Sequence, residues 1–507
     1  MRLLATPPSS DRALFLLTLI ALLPRLVAAL FSQGYFAHDD HFLVIEAADS
    51  WVKGYDYNDW LPWNQGDHPR PSGHSFVYVG AHYLLFSALD AIGLTDPKAM
   101  MVIVRLLHAL LSLVVVRTGY RIALRISDER TAWLCGLFLA LFFFMPFLAV
   151  RNLFEVVCIP FLMLGARQLV KDERGHTLKQ ALIAGMWIGL AVNIRFQTIV
   201  FAAAPGIILL FGRWRQALAY GIGVFLPLLI LQGSIDYFIW GRPLAEIGEY
   251  VFYNMANATT YFDQPWWFYL PWLAGVFIPP LSLFVFFGFL NDWRRNLLLW
   301  LPVAFFVAFH GWHPNKQERF ITTVLPLFFV LGFCAWERWR QTSRWWSQRE
   351  RTWRGILRWT WGFNTVLLIG LLSTYSKRSR CEALYALRDV PGITGIIIED
   401  TFEKEPPQAP LFYLGDYKPG LLYFSDPGMD QRAAWNATDA HRRPNAVCFI
   451  GKEDLAQRRM AMERQLGSLT FVAEAGPGLV DRIVHWLNPI NRNETITVYR
   501  LQVEPRP

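Results

Sequence analysis

The sequence predicts a mainly α-helical, polytopic membrane protein that ends in a small extracytoplasmic α/β domain. Three observations carry this expectation. Hydrophobic residues make up 54% of the 507 and charged residues only 17%, which is too apolar and too long for one ordinary soluble domain. The apolar residues gather in about twelve runs of the length that crosses a bilayer. Beyond residue 375 the pattern changes to short apolar runs of strand length mixed with helical periodicities.

The runs lie near residues 13–31, 73–93, 99–116, 131–148, 152–168, 178–193, 195–211, 216–238, 267–290, 297–310, 320–335 and 354–373, an expectation of about 11–13 transmembrane helices. The first follows Arg2 and Arg12 and reads as a retained signal anchor. The pair 178–193 and 195–211 is short and interrupted at Asn193 and Arg195, the pattern of broken helices. Residues 1–375 are therefore expected to form a transmembrane domain and 376–507 a soluble one. In the tail, strand-like runs at 396–398, 411–414, 446–450, 469–472 and 495–501 alternate with helical patterns at 452–466 and 478–487.

The net charge of +8 raises nucleic acid as a partner, but its distribution excludes it. Basic residues fall in the connections: Arg117, Arg121, Arg125 and Arg130; Lys171, Arg174 and Lys179; Arg213 and Arg215; Arg294 and Arg295; then 338–358. That is the positive-inside pattern, which puts these connections in the cytoplasm. Residues 376–507, 312–319, 239–266, 193–196 and 149–151 then lie outside. The loop 32–72 also belongs outside if the first span runs outward, yet counting back from the tail leaves it inside unless one segment near 73–118 or 178–211 does not cross. The outside placement is kept. The run 336–361 interleaves seven arginines with seven tryptophans, which suits a helix lying in an anionic headgroup layer. Cys381 and Cys448 are the two cysteines of the tail, and their spacing leaves open whether they pair.

Candidate chemistry crowds the expected outer side. The loop 32–72 holds Asp39, Asp40, Glu46, Asp49, Asp56, Asp59 and Asp67, with Trp51, Trp60 and Trp63 among them and Arg70 near its end. A loop this long, acidic and aromatic is usually functional, although interfacial anchoring predicts the same tryptophans. Adjacent carboxylates in Ala37-His38-Asp39-Asp40-His41-Phe42 suit general-base work; the alternative is that the aspartates cap a helix starting near His41. No metal is expected there, because consecutive residues rarely converge on one ion. A second group is Gly311-Trp312-His313-Pro314-Asn315-Lys316-Gln317-Glu318-Arg319-Phe320. Lys316 and Arg319 face alike if helical, and two cations with a histidine nearby make a phosphate clamp. Asp236, Asn254, Glu155 and Arg195 complete the set as charged or polar residues at span ends; Glu155 and Arg195 also suit an ion pair with each other or with local partners.

In order and spacing these motifs resemble the integral-membrane mannosyltransferases of GPI-anchor and N-glycan assembly, which use dolichyl-phosphate-mannose and have the GT-C fold. The family's first-loop motif HPDE-x-FQ-x-x-E is similar to His38-Asp39-Asp40-His41-Phe42 with Glu46, and two registers leave either Asp39 or Asp40 at the base position. Its HKE-x-RF resembles Asn315-Lys316-Gln317-Glu318-Arg319-Phe320. Its D-x-x-x-YG…NF…PWHWY resembles Asp236 to Gly241, Tyr253-Asn254 and Pro265 to Tyr269, and its TRTLSN-x-x-E loosely resembles Arg151-Asn152-Leu153 with Glu155. The resemblance covers roughly residues 30–335 and implies a distant, bacterial member in the inner membrane, or in the endoplasmic reticulum if eukaryotic.

The implied activity is inverting transfer of a sugar, mannose first, from a polyprenyl-phosphate-sugar to a lipid-linked or glycan acceptor on the extracytoplasmic side. Asp39 or Asp40 would be the base. Lys316, Arg319, His313 and Arg195 would hold the donor phosphate, and Glu46, Asp67, Arg70, Glu155, Asp236 and Asn254 would bind acceptor or support the site. The partners are the lipid donor, the acceptor and membrane lipids; no cofactor, metal or nucleic acid is expected. A GT-C enzyme with another sugar donor is one alternative. A lipid or glycan transporter is another, but it would need polar residues through the membrane thickness and often repeat symmetry. No internal repeat is seen here.

Overall fold

The computed structural model describes residues 9–170, 175–291, 293–400, 407–426, 428–487 and 493–503. Arg2, Lys171 and Arg174 of the basic pattern lie outside the described residues. The fold is mainly helical and polytopic. Among the described residues, five helices are long and apolar enough to cross a membrane: Ser10–Phe31, Pro97–Ile126, Trp214–Trp240, Glu318–Thr342 and Glu350–Leu372. Five shorter apolar helices are Phe76–Ala91, Leu178–Ile194, Phe196–Leu210, Leu281–Asn291 and Leu297–Trp312.

Contacts divide the chain into two compact units that are each discontinuous in sequence. One comprises Met1–Leu30, Asp59–Gly80 and Val104–Leu372; the other comprises Phe31–Asn58, Ala81–Ile103 and Ser373–Pro507. The expected division at 375/376 is a single cut, whereas the second unit also takes in the front of the first loop.

Within the first unit, several expected spans are interrupted, two of them at prolines. The run 152–168 breaks at Cys158, with Pro160 in the first turn of Ile159–Gln168. The run 267–290 splits into Tyr269–Gly275 and Leu281–Asn291 around Pro279 and Pro280. Proline removes a backbone donor and is tolerated in a helix's first turn. The run 131–148 splits into Glu129–Leu141 and Phe144–Ala149. No proline stands between these two helices at this third break, and its freed backbone groups are satisfied from neighbouring helices, as burial in an apolar setting demands. Asn364 accepts from Phe143 N at 2.7 Å and donates to Leu141 O at 3.0 Å. Buried Arg25 donates to Ala140 O at 2.8 Å and Leu139 O at 3.1 Å, a cation at a helix C-terminus.

Close helix pairs are built on glycine. A Cβ on Gly332 would meet the Val285 carbonyl and one on Gly288 the Gly332 carbonyl, so Leu281–Asn291 and Leu325–Thr342 pack backbone to backbone. Gly185, Gly189 and Gly223 do the same for Leu178–Ile194 against Trp214–Leu228. The run 336–361 is not one helix lying in a headgroup layer. It spans the ends of Leu325–Thr342 and Glu350–Leu372 with Arg344–Ser347 between them. Trp336, Trp346 and Trp353 are buried around Phe284, and Arg340 pairs with Glu337 at 2.9 Å and Glu350 at 2.8 Å. Aromatic burial outweighs interfacial anchoring here.

The second unit holds a five-stranded sheet. Strands β1 (Gly395–Glu399), β2 (Gly420–Phe424), β3 (Ala446–Ile450), β4 (Gly467–Ala475) and β5 (Ile496–Val503) lie in the order β2-β1-β3-β5-β4. β1 runs parallel to β2 and β3, while β5 is antiparallel to β3 and β4. Ile397, Phe424, Val447, Phe449, Met462 and Tyr499 form its core. Four expected strand runs fall on strands. The fifth, Leu411–Leu414, is a helical turn started after Pro410 and closed by Gly415 at φ 79°. Cys381 and Cys448 are buried free thiols, not a disulfide.

Candidate functional site

In the second unit, the start of the first loop is helical but irregular. His38–Asp40 forms one turn, His41–Glu46 is π-helical, and Ala47–Val52 continues as α-helix. The i→i+5 bonding of a π-helix brings residues five apart into register, and such turns recur at functional sites. Here it joins His41 Nε2 to Glu46 Oε1 at 3.2 Å. The same oxygen accepts from Phe412 N at 2.9 Å. Glu46 is fully buried, and burial pushes its carboxyl above the usual range. Asp49, one turn on, accepts from Lys53 Nζ at 2.7 Å and Tyr417 OH at 3.0 Å, and burial raises it too. Asp40 is buried and Asp39 half-buried. At the helix start Asp40 makes no capping bond, so the capping alternative lacks its hydrogen bond.

In the first unit, Arg195 closes the break between Leu178–Ile194 and Thr198–Leu210. Its guanidinium is buried. Nε donates to Gln197 Oε1 at 2.6 Å, and Nη1 donates to Phe320 O at 2.8 Å and to Thr323 Oγ1. Nη2 lies 3.6 Å from buried Glu155 Oε1. The ion pair open to Glu155 and Arg195 on sequence grounds is present, and Arg195 braces the turn Glu318–Val324.

Lys316 and Arg319 do not share a helical face. Gln317 between them is extended (φ −132°, ψ 147°), and the 3-10 turn begins only at Glu318. Asn315 bridges Asp263 in a short antiparallel pairing. Lys316 is buried and donates Nζ to Gln264 O at 2.6 Å and Pro314 O at 3.3 Å, and desolvation pulls its ammonium below its ordinary value. Arg319 is half-buried, with Nε donating to Gln317 Oε1 at 2.8 Å. His313 is half-buried at the end of Leu297–Trp312.

The remaining expected positions separate by environment. Asp236 is buried and accepts from Gln232 Nε2 at 2.6 Å and Glu246 N at 3.1 Å. Asn254 donates to Tyr250 O of its own helix at 2.8 Å. Asp67 and Arg70 are exposed, and Gln65 holds the Arg70 backbone through both its N–H and its carbonyl. Asn152 accepts from Tyr78 OH, which also meets His108 Nε2 at 3.0 Å.

Sequence reasoning missed Glu246. It is fully buried and accepts from Ser72 Oγ at 2.9 Å, Gly73 N at 2.6 Å, His74 N at 3.2 Å and Trp240 Nε1 at 2.8 Å. Burial pushes its carboxyl up to about 7. It anchors the end of the first loop, and its only sequence sign is one of two acids, with Glu249, between the better-marked Asp236 and Tyr253-Asn254.

The model of the Alg9-like mannosyltransferase family matches residues 14–394. The chain belongs to that family. The match embraces both the 38–46 and the 316–320 segments, so the expected resemblance holds across the interval that carries the motifs. Among relatives of this mannosyltransferase-family chain, GPI alpha-1,2-mannosyltransferase 3 of Danio rerio is 24% identical over 340 residues. That is 64% of the chain, which spans 61% of the relative's length. An undecaprenyl phosphate-alpha-4-amino-4-deoxy-L-arabinose arabinosyl transferase of Pseudomonas paraeruginosa is 28% identical over 183 residues, covering 32% of each. Among solved structures, ArnT from Cupriavidus metallidurans bound to undecaprenyl phosphate superimposes with a TM-score of 0.63 at 13% identity, covering 98% of this chain and 100% of that one. The fold is the GT-C fold of a multi-pass membrane protein.

Proposed function

We propose that the chain is an inverting glycosyltransferase that moves a sugar from a polyprenyl-phosphate-sugar to a lipid-linked or glycan acceptor on the extracytoplasmic side of the bacterial inner membrane. The observation that carries this reading is the family match over residues 14–394, which takes in the carboxylate and cation motifs in order. In the proposed chemistry, Asp39 or Asp40 removes the proton of the acceptor hydroxyl as that oxygen attacks the anomeric carbon, and the polyprenyl phosphate leaves. Arg319, Lys316 and His313 offset the charge that develops on the leaving phosphate. The local geometry supports different parts for the two cations. Lys316 ties the 262–264 and 314–316 segments together, and Arg319 stands half-buried at the start of the following turn. Arg195 and Glu155 act through the Glu318–Val324 turn as positioning residues. Glu46 and Asp49 anchor the helical segment His41–Val52 that follows directly on the turn carrying Asp39 and Asp40.

Mannose is the first candidate donor sugar, from the family and the Danio rerio relative. The aminoarabinose transferase among the relatives supports a second reading in which the same chemistry moves a different sugar. Purified protein incubated with a panel of polyprenyl-phosphate sugars and a lipid extract of its host separates these. Release of polyprenyl phosphate from one donor names the sugar; release from none sinks the transferase reading.

A further inference from the structure

The helix Thr198–Leu210 begins beside Arg195 and runs for 13 residues, about 20 Å at the α-helical rise, to a second polar feature that the proposed chemistry does not use. There a cavity of about 270 Å³ opens among three connections: the end of Ile159–Gln168, the turn at 211–213, and the residues leading into Leu297–Trp312. Arg213, Arg294 and Arg295 stand around it, brought together from positions some eighty residues apart, and all three are exposed. Leu169, Ile208 and Leu209 form its apolar wall. No carboxylate is among the described residues that line it.

One arginine is held in place. Arg213 Nη1 donates to His176 Nδ1 at 3.1 Å, while His176 Nε2 meets Leu169 O at 3.0 Å. The histidine, itself held against the Leu169 carbonyl, aims the Arg213 fork. Beside the cavity Leu210 and Phe211 are strongly exposed, at 60% and 82%, as chain-contacting side chains are at a bilayer surface.

We propose that this cavity is a specific binding site for an anionic phospholipid, with the phosphodiester headgroup between Arg213, Arg294 and Arg295 and an acyl chain along Leu210 and Phe211. Three guanidiniums gathered around one cavity match a phosphate by charge and by bidentate geometry. The volume lies just below the ~300–1,000 Å³ of clefts that hold drug-sized ligands, so it suits a headgroup better than a glycan. Basic pockets between membrane helices on the cytoplasmic side bind such headgroups, and the positive-inside pattern puts these connections there. Arginines that merely snorkel would bind any anionic surface diffusely, without saturation.

The test titrates the full chain, purified in zwitterionic detergent, with phosphatidylglycerol, phosphatidylcholine or inorganic phosphate, read by native mass spectrometry and thermal melting. Saturable retention of phosphatidylglycerol with a raised melting temperature is expected. R213Q/R294Q/R295Q should weaken it on the order of 100-fold, from about 1 kcal/mol per arginine near the surface, and R344Q/R349Q/R351Q should leave it unchanged. Equal retention of phosphatidylcholine, an equal effect of inorganic phosphate, or equal loss in the second triple variant overturns the proposal. Should the first variant not fold, photoreactive phosphatidylglycerol on wild-type protein decides. Labels on 207–213 and 293–299 support the site, and labels only elsewhere refute it.

Discussion

Glu246→Ala and Glu246→Gln test how the end of the first loop is held. The carboxylate is fully buried and takes four donors, two of them the backbone amides of Gly73 and His74. Above about pH 7, where this carboxylate is charged, a hydrogen bond to it contributes about 1.5–3 kcal/mol. Glu246→Ala should therefore speed amide exchange at Gly73 and His74 by about 10- to 150-fold. Glu246→Gln replaces one carboxylate oxygen with a donor, so either Trp240 Nε1 or the Ser72–Gly73–His74 group loses its acceptor, at about 1–3 kcal/mol. The pH dependence has a definite sign. Burial raises this carboxyl from 4.5 to about 7, so between those values the folded protein holds the proton more tightly than the unfolded chain. Stability from this group is full below about 4.5 and falls as pH rises through the window, by about 3 kcal/mol once above 7. Hydrogen–deuterium exchange of peptides covering residues 72–74 between pH 5 and 8, corrected for intrinsic exchange, reads both effects. Protection should decline with pH in wild type and be flat in Glu246→Gln. Wild-type exchange in Glu246→Ala, or protection that rises with pH, would refute the reasoning.

Two further outcomes follow from packing. Arg195→Met should cost about 3–5 kcal/mol, because it strands Glu155, the Phe320 carbonyl and Gln197 Oε1 in a buried setting. Glu155→Gln should cost less, since the pair is 3.6 Å apart and the Arg195 hydrogen bonds survive; detergent-phase denaturation showing the reverse order contradicts the bracing role. Gly332→Leu should force Leu281–Asn291 away from Leu325–Thr342 and lower the melting temperature, the strain being about 1–3 kcal/mol or more. A monodisperse variant that melts like wild type would show that the two backbones do not need to touch.

The membrane class, the apolar segments and the sheet-bearing tail were legible because they rest on composition and period alone. Helix breaks were less so. Arg195 marked one, since a charge inside an apolar run has few other uses, but the break after Leu141 is carried by Asn364 and Arg25, far away in sequence. The tryptophan-rich run 336–361 misled because interfacial and core tryptophans look the same in a sequence, and only the stacking on Phe284 distinguishes them. The site divides the same way. Asp39, Asp40, Glu46, Lys316 and Arg319 stood out as clustered charge. Glu246 did not, because its importance comes from donors at 72–74 more than 170 residues earlier. The shared face expected of Lys316 and Arg319 failed on one extended residue, Gln317.

The transferase reading stands most directly on the carboxylates of the first loop. Single-turnover release of polyprenyl phosphate from the reactive polyprenyl-phosphate-sugar should be measured for wild type, Asp39→Asn and Asp40→Asn, each checked for an unchanged melting temperature. A general base contributes about 10²–10⁴ in rate, so one of the two variants should lose at least about 100-fold while remaining folded. Turnover at the wild-type rate in both would contradict the assignment.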